Sequence, residues 1–370
     1  MPEIIIKNVT KRWGSFVAVD NLNLEIEDGA FITLLGPSGC GKTTTLRMIA
    51  GLETPTTGEI TIDGQIVFSS EKGINLSAAK RDVGFLFQNY ALWPHMTVFQ
   101  NIAFGLETLK WKKDAIKERV GEMLKMMKIE QFAGRYPAEL SGGQQQRVAI
   151  ARTLAPKPKV LFMDEPLSNL DAKLRGEMRT ELKRLHVDTG STFVYVTHDQ
   201  LEAMTLATKI CLMNEGVVQQ YDPPLTVYGK PANIFVADFV GNPTMNFLPG
   251  KAVTVSGRSV DIDFLGKRFR YVSDRDISIE PGDVTIGIRP EFLPISDGGD
   301  ITGSVYSTLP SGMETTVKIK VGETILSSVM FGSLNYDVDT DIRFSVYGNN
   351  ILLFENASGR MVSCGCMTVV

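Results

Sequence analysis

The sequence predicts an α/β domain built on a parallel sheet, followed by a smaller all-β domain, and three observations carry that prediction. A glycine-rich turn joins the apolar run FITLL to a pattern with helical period. Two later apolar runs, VLFM at 160–163 and TFVYVT at 192–197, are continuous rather than alternating, as strands buried on both faces are. Beyond Gly241 the pattern changes to short alternating runs divided by glycines and acids. A length of 370 residues, long for one core, agrees with two domains, drawn at 1–240 and 241–370.

Taken in order, residues 4–35 alternate apolar and polar positions and read as strands, with a turn at Asp28-Gly29. From Thr43 the segment TTLRMIA turns helical and stops at Gly51, a C-cap. Between Lys112 and Ile129, the residues Ile116, Val120, Met123, Leu124 and Met127 recur at helical spacing, so these methionines read as core. The proline-rich segment YDPPLTVYGKPANIF interrupts regular structure and reads as a connector. The runs AVTVSG, VDIDF, RFRYV, VTIGI and TTVKIKV have the spacing of a small β-barrel or sandwich.

Composition excludes several classes. At 43% hydrophobic, 22% charged and net charge −4, the chain has no general electrostatic reason to bind nucleic acid. The N-terminal MPEIIIKNVT carries an acid where a secretory signal carries positive charge. No apolar stretch approaches the roughly 20 residues that cross a bilayer as a helix, so membrane association is expected through partner proteins. Cys40, Cys211, Cys364 and Cys366 are too few and too irregular for a disulfide framework, which fits a reducing cytosol. The closing CGC reads as a disordered, unliganded tail.

Chemistry concentrates in short segments. Gly36-Pro37-Ser38-Gly39-Cys40-Gly41-Lys42-Thr43 has phosphate-loop spacing at every required position, between a strand and a helix. Its glycines let backbone amides converge on phosphate oxygens at the positive end of a helix, Lys42 reaches the β- and γ-phosphates, and Thr43 is a magnesium ligand. Thr44, next in line, is counted among the nucleotide contacts. In VLFMDEP, Asp164 ends a strand where it can hold Mg²⁺, and Glu165 follows where a base orients water. In Leu140-Ser-Gly-Gly-Gln-Gln-Gln-Arg147, Ser141 and Gln144 form a capping box. Capping does not account for Gly142 and Gly143, each about 1 kcal/mol worse than alanine in a helix, unless backbone there approaches something anionic.

Together GPSGCGKT, LSGGQ, the run ending in DEP, SNLD and the histidine of VTHD resemble, in family order, the nucleotide-binding subunits of ABC transporters. The likeness spans the first 240 or so residues. It implies a P-loop ATPase that binds ATP and Mg²⁺ in a head-to-tail dimer. In that dimer Ser141, Gly142, Gly143 and Gln144 complete the partner's site. It further implies that Gln88 senses the metal and the attacking water, His198 the γ-phosphate, and Asp171 couples the two sites. Trp13 stacks on adenine, and Arg135 lies near the nucleotide in trans.

Within the family, NYALWPHMTVFQNIAFGL, the segment from EAMTLATK to NFLPG and TIGIRPEFL are similar to the ATPases of bacterial carbohydrate importers of the maltose and multiple-sugar type. The resemblance implies two permease subunits, an extracytoplasmic binding protein met indirectly, and a place at the cytoplasmic face of the membrane. It also implies an oligonucleotide-binding-like C-terminal domain used for dimer contact or regulation. Glycerol-phosphate, polyamine and iron importers use similar ATPases and are the alternative cargo classes; a soluble, non-transport ABC ATPase is the rival of another class. Residues FSSEKGINLSAAK are longer than in the plainest sugar-importer relatives, and SCGCMTVV matches no family pattern.

Overall fold

The computed structural model describes residues 3–277, 279–346, 348 and 350–370. The chain forms two compact units, Met1–Pro224 and Leu225–Val370. In chain order the first contains β1 (Ile4–Trp13), β2 (Phe16–Ile26), β3 (Phe31–Leu35), α1 (Lys42–Ala50), β4 (Thr57–Ile62), β5 (Gln65–Ser69), β6 (Ile74–Asn75), β7 (Val83–Leu86), α2 (Val98–Thr108), α3 (Lys113–Met127), α4 (Gly142–Leu154), β8 (Val160–Asp164), α5 (Ala172–Thr189), β9 (Thr192–Val196), α6 (Gln200–Leu206), β10 (Lys209–Asn214) and β11 (Val217–Asp222).

Strands β2-β1-β4-β5-β6 make an antiparallel sheet, and β11-β10-β3-β9-β8-β7 a second sheet that is parallel except for the β10–β11 hairpin. Every residue of β3, β8 and β9 is buried, which is why these strands read as continuous apolar runs. Their alternate faces feed two cores. Ile32, Leu34, Phe162 and Val194 pack with Leu46 and Ile49 of α1 and with β1, whereas Phe31, Leu161, Met163 and Phe193 pack with α2, α3, α4 and α5. The apolar stripe of α3, from Ile116 to Met127, is buried as its spacing predicts. Register pairs Leu34 with Val196 and Val196 with Asp164, so β3, β9 and β8 end level and their following loops share one edge.

The long segment before Gln88 is the β5–β6 hairpin and a single 3₁₀ turn, and it delivers Arg81 to the back of α1. Arg81, buried, donates to Met48 O and Ile49 O at 2.8 Å and to Leu76 O at 2.9 Å. It thereby closes the C-terminal end of α1, where a cation also meets the negative end of the dipole. Burial pushes its pKa down to about 10.

The second unit holds most of α7 (Pro224–Gly229), then α8 (Ile234–Phe239), β12 (Asn246–Ser256), β13 (Ser259–Phe264), β14 (Lys267–Ser273), β15 (Gly282–Ile288), β16 (Ile301–Pro310), β17 (Glu314–Val321), β18 (Thr324–Phe331), β19 (Asp341–Phe344), β20 (Ile351–Glu355) and β21 (Met361–Val369). A closed barrel runs β12-β13-β14-β21-β20-β15, and β18-β17-β16-β19 form a further sheet. Two expectations are corrected. The proline-rich connector is largely helical: Pro224 opens α7, where a helix needs no N–H. Arg289 of TIGIRPEFL then holds both short helices, donating to Tyr228 O (2.9 Å), Ala237 O (3.0 Å) and Val240 O, with its guanidinium 4.1 Å from the Tyr228 ring centre.

The CGC tail is not disordered. It lies in β21, paired to β14 on one side and β20 on the other, and so closes the barrel. Gly365 passes so near β14 that a Cβ there would stand 2.2 Å from Val272 O. Cys364 is buried, which pushes its thiol pKa up and disfavours a thiolate ligand. Among the described residues no group of three or more His, Cys, Asp or Glu is placed to hold a metal ion.

Candidate nucleotide site

The loop between β3 and α1 is fixed from two sides. A Cβ on Gly36 would lie 2.2 Å from Met213 O, so only glycine fits against β10. Gly41 takes φ +102° and would place a Cβ 2.5 Å from Ala18 O of β2. As N-cap of α1 it supplies no side-chain acceptor, and the first helical amide to close on a carbonyl is that of Thr45, on Gly41 O at 2.8 Å. The amides of Lys42, Thr43 and Thr44 are thus the open positive end of a helix, the arrangement that receives phosphate. Lys42 is buried and donates to Gly36 O (2.8 Å) and Pro37 O (2.9 Å), with Cys40 Sγ at 3.7 Å. Its ammonium is held inside the loop by carbonyls, an environment that favours an anionic ligand.

Thr43 Oγ1 donates to Asp164 Oδ1 at 2.9 Å, and Arg47 Nη2 stands 3.3 Å from Asp164 Oδ2. A hydroxyl and a buried carboxylate converging at the end of β8 are hard oxygen donors of the kind Mg²⁺ takes, so these residues fit that ion. Glu165 follows with φ +46°, a left-handed conformation uncommon outside glycine, asparagine and aspartate. The turn is over-determined: Glu165 N–H donates to Val196 O (3.1 Å), while Glu165 O accepts from Ser168 N–H (3.3 Å) and Ser168 Oγ (2.9 Å). Glu165 Oε2 lies 3.4 Å from His198 Nδ1. Gln88 Nε2 donates to Ser168 Oγ at 3.3 Å, and Asn169 Nδ2 to Gln88 O at 3.3 Å. Lys42, Thr43, Asp164, Glu165, His198 and Gln88 are therefore gathered on one edge of the sheet.

Outside the phosphate loop, the other predicted residues (Ser141, Gly142, Gly143, Gln144, Asp171, Trp13 and Arg135) are not joined to that cluster by any hydrogen bond or ion pair among the described residues. Ser141 caps α4: its Oγ accepts from Gln144 N–H (3.4 Å) and Gln144 Oε1 accepts from Ser141 N–H (2.9 Å). A Cβ on Gly143 would meet Leu174 Cδ2 of α5 at 2.4 Å, whereas one on Gly142 would meet nothing within 4 Å. Packing inside the subunit accounts for the second glycine and not for the first. Asp171 caps α5 by accepting from Leu174 N–H at 3.0 Å. Trp13 is 48% exposed at the β1–β2 hairpin and stacks on Phe16, ring centres 6.3 Å apart. Arg135 is exposed, its guanidinium 5.2 Å from the Phe132 ring centre.

Sequence reading missed two arginines. Arg152 of α4 donates to Ala91 O (2.6 Å) and Tyr90 O (2.7 Å), pinning two consecutive left-handed residues just after Gln88. Arg175 of α5 donates to Leu170 O (3.1 Å) and Asp199 Oδ2 (3.3 Å). Their acceptors are chiefly main-chain oxygens brought near by folding, so spacing along the chain carries no signal for them.

Residues 19–168 match the family model described as ABC transporter. The trehalose/maltose import ATP-binding protein of Thermococcus litoralis is 43% identical over 377 residues, covering 98% of this chain and 100% of that protein. The maltose/maltodextrin import ATP-binding protein of Escherichia coli K12 is 45% identical over 328 residues, covering 87% of this chain and 86% of its own. Among solved structures, a dimeric ATP-binding cassette in a post-hydrolysis state bound to ADP and Pi is similar with TM-score 0.53 and 37% identity, over 60% of this chain and 98% of that one. The cbiO1 structure from Clostridium perfringens, part of the ABC transporter complex cbiONQ, has TM-score 0.56 and 29% identity over 61% of this chain and 90% of its own. A phosphate loop, an acidic strand end and a glycine-bearing capped helix, together with relatives alike over nearly the whole chain, lead to one conclusion: this chain belongs to the family of ATP-binding subunits of ABC transporters.

Proposed function

We propose that this chain is the ATP-hydrolysing subunit of a sugar importer, working as a dimer in which each copy completes the other's site. The observation that carries it is the shared edge on which Glu165 meets His198 beside the Thr43–Asp164 pair and the open end of α1. In this reading the α1 amides and Lys42 bind the phosphates. Thr43, Asp164 and Gln88 hold Mg²⁺, which when bound offsets phosphate charge. Glu165 orients and deprotonates the attacking water, and His198 contacts the γ-phosphate and steadies Glu165. Ser141, Gly142, Gly143 and Gln144 cap the partner's γ-phosphate, Asp171 couples the two sites across the dimer, Arg135 lies near the partner's nucleotide, and Trp13 stacks on adenine.

Residues 1–240 are taken as the nucleotide-binding part. The barrel within 241–370 is proposed to be an oligonucleotide-binding-like regulatory fold used for dimer contact and not for nucleic acid. Among the described residues no helix is long and apolar enough to cross a membrane. Anchorage at the cytoplasmic face is accordingly proposed through two permease subunits, with the Asn89–Leu106 segment facing them and a binding protein acting from the far side. The test is ATP turnover by the complex reconstituted with its permeases. Glu165→Gln should keep ATP binding and lower kcat by about 100-fold or more; full turnover would remove Glu165 from the role. Stimulation by a sugar-loaded binding protein supports the cargo class, and stimulation only by a glycerol-phosphate, polyamine or iron carrier replaces it.

A further inference from the structure

The loop after Glu165 and the loop carrying His198 are bridged by one side chain that no motif marks. Arg175, in the first turn of α5, donates through Nη2 to Leu170 O at 3.1 Å, beside Asp171. Through Nη1 it donates to Asp199 Oδ2 at 3.3 Å, beside His198. Its Nε lies 4.0 Å from Glu202 Oε1 and has no hydrogen-bond partner among the described residues. The two carboxylates are themselves held in place. Asp199 Oδ1 accepts from Leu201 N–H (2.8 Å) and Glu202 N–H (3.1 Å) and so caps α6. Glu202, 3% exposed, accepts from Tyr195 OH and Thr197 Oγ1, both at 2.7 Å. Burial holds its carboxyl above the usual carboxylate range. Glu165, Ser168, Arg175, His198, Asp199 and Glu202 line one small cavity, so this network borders the same space as the Glu165–His198 contact.

A planar guanidinium with two fixed donor directions sets the spacing between two loops in a way a flexible ammonium does not. Glu165 and His198 stand on opposite sides of that bridge and only 3.4 Å apart. We propose that Arg175 is a positioning residue for ATP hydrolysis, clamping the Leu170–Asp171 segment to the Asp199 loop so that displacement of one at the dimer interface is delivered to His198 and Glu165. The proposal rests on the dimeric ATPase reading above and adds to it the element that couples the interface to Glu165.

The test uses the full chain in its reconstituted complex, measuring kcat and KM for ATP, ATP affinity and melting temperature. Arg175→Gln should lower kcat about 10- to 100-fold, as expected for misplaced reacting groups, with KM and ATP affinity within about threefold of wild type. Arg175→Lys should recover part of kcat. Asp199→Asn, which keeps an oxygen to cap α6, should lower kcat similarly, and the double variant should be no worse than the poorer single one. Wild-type kcat in Arg175→Gln, a matched loss of ATP affinity, or losses that multiply in the double variant would overturn the clamp. Absence of turnover in the wild-type complex would instead overturn the ATPase reading, and the clamp with it.

Discussion

Helices α1 and α4 both begin beside glycines, yet their N-termini are built in opposite ways. At α1 the cap is Gly41, which has no side chain to offer, so the first amides stay open toward the loop that holds Lys42. At α4 the cap is Ser141, and its reciprocal bonds with Gln144 satisfy one orphan amide of that end from within. The lesson is that a glycine-rich helix start has two distinct meanings. One N-terminus is left electrostatically unfinished and so suits an anion on its own subunit. The other is side-chain capped, and what it offers is a bare surface at Gly142, where a second molecule can approach the backbone.

The largest expected effect breaks the first half of that contrast. Gly41→Ala forces a side chain into φ +102° and against Ala18 O. Backbone strain alone should destabilise the loop by about 1–3 kcal/mol, and ATP affinity measured by titration should fall more than tenfold. Unchanged affinity would mean that the open end of α1 is not where phosphate binds.

The next separates the two glycines of α4. Gly142→Ala meets open space, so it should hold or raise the melting temperature, by up to about 1 kcal/mol of helix propensity, while lowering turnover about tenfold. Gly143→Ala drives a methyl into Leu174 and should offset that propensity gain by an overpacking cost of about 1–3 kcal/mol. Equal turnover for Gly142→Ala and wild type would show that no second molecule uses this surface.

Smallest is the stability change at Ser141→Ala. Losing the cap should remove about 1 kcal/mol, a fall of roughly 2–4 °C in melting temperature for a unit of this size. A larger fall would mean that Ser141 does more inside its own subunit than cap α4.

Legibility followed the range of the interaction. Gly36 to Thr43, Asp164 and Glu165 were readable because the chemistry of each is local: loop, strand end and helix start are contiguous in the chain. The burial of β3, β8 and β9 was readable for the same reason, since a run of apolar residues reports both faces at once. The strand β21 was not. Its Ser-Cys-Gly-Cys core has weak strand propensity, and Gly365 is there because Val272 O passes 2.2 Å from where a Cβ would be, a constraint set by a strand more than 90 residues earlier. Arg81, Arg152, Arg175 and Arg289 share that illegibility, as each serves carbonyls exposed by helix ends or strained turns elsewhere in the fold.

By itself the sequence determined the chemistry: which residues can grip a triphosphate, supply hard oxygen to a cation and orient water, because those requirements are met by residue type at short spacing. Tertiary structure alone decided the arrangement. It levelled the ends of β3, β8 and β9 so that Glu165 meets His198, left Gly142 facing open space, and set Arg175 between two loops. Those outcomes depend on strand register and on backbone groups whose partners are far away in the chain, where no local pattern records them.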